Sequence, residues 1–241
     1  MTTFSEQVRA AFRRGESDAV VRMSEAEIER ARLAGDPAGE VEALYSLSRV
    51  AVRRGDLPGG ERLASAALGV AVDAGDRELE ERPRHVLAAI TRMSGDLDRA
   101  VGLYQASIAL NEELGHFETA NSERHNLGFC ELHLGRLERA RELFTISRER
   151  VFEERWDSFL PYVCVAGAAL AAAEQHPERA ALLVGTADGA FAAVGQVPDP
   201  DDAAELTAIR ATAIEALGRE AFDAAYERGR KLDPRAAFDQ G

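Results

Sequence analysis

Three of the five histidines in this 241-residue sequence, His85, His125 and His133, are the side chains best suited to ligate a metal or carry a proton. His125, Phe129 and His133 follow at intervals of four, so on a helix they form one stripe. A histidine pair four apart would suit a metal; eight apart, with Phe129 between, is poor ligand geometry. There is no His-Glu-x-x-His and no cysteine cluster, so neither a metal nor another cofactor is expected. Cys130 and Cys164 each lie in a helical apolar pattern without an evident base, which reads as reduced, buried thiols rather than nucleophiles or a disulfide. No Gly-x-Ser-x-Gly elbow occurs. The many acidic residues read as solvated helix faces with arginine partners, as in Glu27-Ile-Glu-Arg-Ala-Arg32. Pro198-Asp199-Pro200-Asp201-Asp202 has no further ligands at cation-loop spacing, so it is read as a loop and helix cap. The chain is therefore expected not to be an enzyme.

The elements that carry these residues are set out by glycine. Gly15, Gly55, Gly95 and Gly135 fall forty residues apart, with Gln175 next in the series. Gly35, Gly75 and Gly115 are offset by twenty, continuing loosely to Gly195. Glycine readily takes the left-handed conformation that ends a helix, so a turn is expected about every twenty residues. Asp36-Pro37, Asp56-Leu57-Pro58 and Asp96-Leu97 supply caps and first-turn prolines for the helices that follow. Each twenty-residue half is thus a helix of about four or five turns. Pairs are expected near 2–34, 37–74, 77–114, 117–153, 157–194 and 200–230, together one repeat domain over 1–241 with eleven or twelve helices. Pro83 implies either a kinked helix or one that starts near Arg82.

The halves alternate in character. Gly95-Asp-Leu-Asp-Arg-Ala100, Gly135-Arg-Leu-Glu-Arg-Ala140 and Gln175-His-Pro-Glu-Arg-Ala180 share one opening phrase, and Leu127-Gly128, Leu87-Ala88 and Leu47-Ser48 lie upstream. This pattern resembles the tetratricopeptide repeat (TPR), best over 120–156, where Leu127, Gly128, Gly135, Ala140 and Phe144 match. Arg124 and Glu131 depart from it, standing where the family often has Trp and Tyr. The usual period is about 34; forty resembles the longer-helix variety of bacterial signal-transducing ATPases and peptide-responsive regulators. The resemblance implies an all-α, right-handed superhelical solenoid of antiparallel helix pairs. Small residues at 48, 88, 100, 128, 140 and 180 sit where paired helices must cross closely.

A second resemblance covers the tail. Arg179-Ala-Ala-Leu-Leu-Val-Gly185 and Leu217-Gly-Arg-Glu-Ala-Phe222, followed by Tyr226 and Gly229, are similar to the C-terminal helical segment of actinobacterial LuxR-type and antibiotic-regulator transcription factors. No phosphate-binding Gly-x4-Gly-Lys-Ser/Thr loop and no basic recognition helix accompany it.

The TPR resemblance implies that the first helix of each pair lines the concave face. Stepping by forty residues places Tyr45, Arg49, Arg53, His85, Arg92, His125, Phe129, His133 and Tyr162 there as the candidate partner groove. It is basic and aromatic at one end and apolar from Val165 to Ala173 at the other. A protein or peptide partner is expected, acidic or bearing a free C-terminal carboxylate. The alternatives are a small molecule that shifts the curvature, as in a regulatory sensor, and a groove filled by the chain's own C-terminal helix and Phe238. Self-association through a terminal repeat would give a homodimer.

Composition narrows the partners. The net charge of −13, from 42 acidic against 29 basic residues, disfavours direct nucleic-acid binding and an acidic membrane surface. The polar N-terminus is unlike a signal peptide, and the longest apolar run, 163–173, is about half of a membrane span. A cytoplasmic location is expected.

Overall fold

The computed structural model describes residues 3–239, which fall into two compact units, one up to Ala120 and one from Asn121. Among the described residues there are thirteen α-helices and no strand. The first unit holds α1 (Phe4–Arg13), α2 (Ser17–Ala34), α3 (Pro37–Arg53), α4 (Leu57–Ala74), α5 (Arg77–Met93) and α6 (Leu97–Leu114). Then come α7 (Phe117–His133), α8 (Leu137–Glu153), a 3-10 turn over Asp157–Phe159, α9 (Leu160–Ala173) and α10 (Pro177–Val194). The chain closes with α11 (Pro200–Leu217), α12 (Arg219–Gly229) and α13 (Pro234–Asp239). The helix total exceeds the expected eleven or twelve because α13 forms beyond the last expected pair, 200–230.

Local chemistry starts and stops these helices. Asp36 accepts from the Gly39 N–H at 3.0 Å and Asp56 from the Gly59 N–H at 2.9 Å, each satisfying an orphan donor of a first turn. Gly35, Gly75, Gly115 and Gly195 terminate α2, α4, α6 and α10 in the left-handed region. Gln175 takes the same conformation at φ 62°, and Arg155 at φ 56°, without glycine's freedom. Helix α5 starts at Arg77 on the Asp76 cap and runs through Pro83, whose ring is buried; it does not begin at Arg82. Proline there deprives the Leu79 carbonyl of its intrahelical donor.

Small residues let the paired helices close up. In the first unit the Ser48 hydroxyl donates to the Gly60 carbonyl at 2.7 Å, with Ala64, Ala67 and Ala71 buried along α4. In the second, a methyl group added at Gly128 would lie 2.5 Å from the Phe144 ring. The core there gathers Phe129, Phe144, Cys164, Val165, Leu183, Phe191, Leu206 and Ile209. Among the described residues no helix is long and apolar enough to cross a membrane.

The last helices leave the pairwise pattern. Helix α12 lies backbone to backbone on α10: a Cβ at Gly185 would meet the Tyr226 carbonyl at 2.1 Å, and one at Gly229 the Leu182 carbonyl at 1.9 Å. The Thr186 hydroxyl donates to the Gly229 carbonyl at 3.1 Å. Helix α13 sets Phe238 edge-on to Phe152 of α8, under Arg148, while Arg235 donates to the Phe152 carbonyl at 2.8 Å.

Candidate functional site

In the first unit, α1, α3 and α5 carry an arginine-aromatic cluster. The Arg49 and Arg53 guanidiniums stack on the Phe12 ring, 3.7 and 3.6 Å from its centroid, and Arg53 also donates to the Phe12 carbonyl at 2.7 Å. Arg49 and Arg82 approach the Tyr45 ring, each at 5.6 Å. Such stacking orients a guanidinium plane and leaves its edge as the hydrogen-bonding side. Glu42 receives Arg82, lies 3.6 Å from Arg9, and accepts from the Ser5 hydroxyl at 3.2 Å. Burial, and then the neighbouring Arg82 charge, lower the Arg9 pKa from its ordinary value.

The candidate residues here differ in access. His85, Arg49 and Arg53 are half-buried; Tyr45 is buried, and Arg92, at 5% exposure, belongs to the packed interior. Phe12 and Arg9 join the cluster without having been singled out from the sequence. The signal was present: they precede Gly15 by the same intervals that Val52 and Arg49 precede Gly55. The repeat had only to be carried back one step.

Beside this cluster the N-terminal ends of α1, α3 and α5 frame a cleft of about 620 Å³. Glu27, Asp36, Glu42, Glu78 and Glu81 line it together with Arg30 and Arg82, so its rim is net acidic. His116 stands between two of these carboxylates, 3.1 Å from Glu78 and 3.2 Å from Glu81. Helices α3 and α5 therefore present carboxylates (Glu42, Glu78, Glu81) at the cleft and guanidiniums further along.

In the second unit the stripe on α7 meets another helix of the chain. His125 is 2% exposed, packed against the rings of Phe129, Phe144 and Phe159 at 5.1, 5.9 and 5.3 Å, and lies 3.8 Å from Asp202 of α11. Phe129 is fully buried, and His133 reaches Glu205 of α11 at 3.2 Å. Tyr162, half-buried, packs on Phe159 and Phe191, both at 5.2 Å. Asp202, read from the sequence as part of a loop and cap, is buried and faces His125. Helix α11, and not Phe238, covers the stripe; Phe238 docks on α8 and beside Gly167.

Neither cysteine is poised to react. Both are buried, and burial pushes the Cys164 thiol up to about 12. Among the described residues no three His, Cys, Asp or Glu side chains are grouped so as to hold a metal ion.

No protein-family model and no curated protein matches the sequence. Solved structures do resemble the fold. A Rap protein complexed with competence and sporulation factor aligns with a TM-score of 0.70 at 14% identity, over 98% of this chain and 68% of that one. BtubC (BKLC) from P. vanneervenii aligns at 0.58 with 19% identity, over 95% and 92%. Nearly identical TPR-like repeats of a kinesin light chain from P. anserina align at 0.53 with 18% identity, over 85% and 99%. The chain has an all-α, TPR-like fold of stacked helix pairs. At these identities the likeness speaks for the fold alone.

Proposed function

We propose that this chain is a non-catalytic interaction scaffold with a regulatory role, holding an acidic segment of a partner protein on the α1, α3, α5 face of its first unit. The carrying observation is the convergence of Arg49, Arg53 and Arg82 around Phe12 and Tyr45, with Arg9 and Arg82 joined through Glu42, in a chain of net charge −13. Guanidinium edges suit carboxylates of a side chain or of a C-terminus. The acidic cleft at the other end of the same helices favours a partner with opposite polarity across its width. A Rap protein of like fold was solved in complex with competence and sporulation factor, which supports a bound partner here. The resemblance of the tail to LuxR-type and antibiotic-regulator proteins fits a regulatory setting, and a cytoplasmic one.

The test is binding of acidic, neutral and basic synthetic peptides, with free and amidated C-termini, to the wild-type chain and to Arg49→Glu. Acidic peptides should bind the wild type and be lost by the variant, whose melting temperature stays close to wild type. Equal binding by both proteins, or no preference for acidic peptides, would refute this reading.

A further inference from the structure

In the second unit, α12 takes the place along α10 that the next first-of-pair helix should occupy, held there by Gly185, Gly189 and Gly229. The intervening helix α11 lies across α7 and α9 with its first turns and against α10 and α12 with its last. Its inward residues are Asp202, Glu205, Leu206 and Ile209, an i, i+3, i+4, i+7 series that forms one helix face. The carboxylates meet His125 and His133, and the aliphatic pair enters the cluster of Phe129, Val165 and Ala169. These partners include three of the stripe residues from which a binding groove is expected on sequence grounds.

We infer that α11 is a displaceable resident of this groove, and that the groove accepts from a partner an acidic amphipathic helix of the same chemistry. Such a helix lays carboxylates on the two histidines and branched aliphatic side chains on Phe129, the usual helix-in-groove arrangement. Two features make α11 separable from the unit it covers. Its outer face (Ala204, Thr207, Ala208, Ala211, Thr212) is exposed, and its buried large side chains are Leu206 and Ile209, while Ala213, Ile214 and Leu217 keep its C-terminal end on Ala181, Phe222 and Ala225. It is flanked by the irregular stretch 195–199 and by Gly218, at φ 77° and ψ 157°, where the chain can re-aim the helix. Arg210, paired with Asp188 of α10 beside the Tyr226 hydroxyl, is the polar tether that must also release. A competing helix binds more weakly to the closed form by the fraction of time the groove stands open.

Hydrogen exchange of the intact chain tests the separability. Amides of α11 should exchange on the order of tenfold or more faster than those of α9 and α10; exchange at the rate of α9 and α10 would overturn the inference. Binding tests the groove, with a labelled peptide of residues 199–218 as probe. The full chain carrying Leu206→Asp and Ile209→Asp should bind it on the order of tenfold or more tighter than wild type. A folded variant that binds no better than wild type overturns the proposal; if the variant does not fold, the exchange result alone decides. The probe is itself acidic, so Arg49→Glu is added to the released variant. Retained binding places the peptide on the second unit, whatever becomes of the first-unit reading. Lost binding assigns it to the arginine face and overturns this one. A wild-type dimer that holds by exchanging α11 between copies would likewise overturn the assignment to a partner.

Discussion

The imidazole of His133, in the last turn of α7, meets the Glu205 carboxylate of α11 at 3.2 Å across 72 residues of sequence. Two turns earlier on α7, His125 faces Asp202 from a fully packed position. The two contacts differ in cost and value. The His133 side chain is 41% exposed, so water competes for it, whereas His125 and Asp202 are enclosed.

The outer contact is accordingly expected to be weak. A double-mutant cycle with His133→Ala and Glu205→Ala should give a coupling of about 0.2–1 kcal/mol by urea unfolding. A coupling of about 2 kcal/mol or more would show that the pair is a principal clamp on α11.

Gly128 is read as a close-crossing position, and its neighbour is the Phe144 ring. That ring cannot easily retreat, because Phe129 packs edge-on at 5.0 Å. Gly128→Ala should destabilise by about 1–3 kcal/mol. Adding Phe144→Leu should recover part of the loss, a non-additivity visible in the same denaturation series.

Gln175 and Arg155 hold the left-handed conformation that the other turns of the series give to glycine. Gln175→Gly and Arg155→Gly should each stabilise by about 0.5–1 kcal/mol, since relief of the Cβ clash outweighs glycine's extra chain entropy. A fall in the unfolding midpoint on either substitution would contradict this.

Asp36 links a cap to pH. The Gly39 N–H, and then Arg30, hold its carboxyl below the ordinary 3.8. A depressed folded pKa means that the cap's electrostatic benefit is complete above the unfolded value and is lost as pH falls through the folded one. Asp36→Ala should therefore cost about 1 kcal/mol near neutrality. The gap from wild type should narrow below about pH 4, which unfolding midpoints at pH 7 and pH 3 would reveal.

The candidate site was partly legible, and the reasons are local to particular residues. Arg49 and Arg53 could be placed on one face because four residues make about one turn. The same step carried back would have put Phe12 on that face, but the stacking of both guanidiniums on its ring depends on how α1 packs against α3. Arg92 stands instead at the step of Phe12 and Val52, three residues before its turn glycine, and like them it is buried.

The sequence by itself determined the repeated helices and the turns that end most of them. Asp36, Asp56 and the glycine series act through hydrogen bonds and dihedral preferences spanning a few residues, and those reach the same answer wherever the helix is packed. Tertiary structure alone decided what covers the histidine stripe. There α12 reaches backbone contact with α10 at Gly185 and Gly229, and α11 spans α7, α9 and the remaining face of α10. Periodicity shows that a helix has an apolar face; which surface that face buries is settled by competition among helices far apart in the chain.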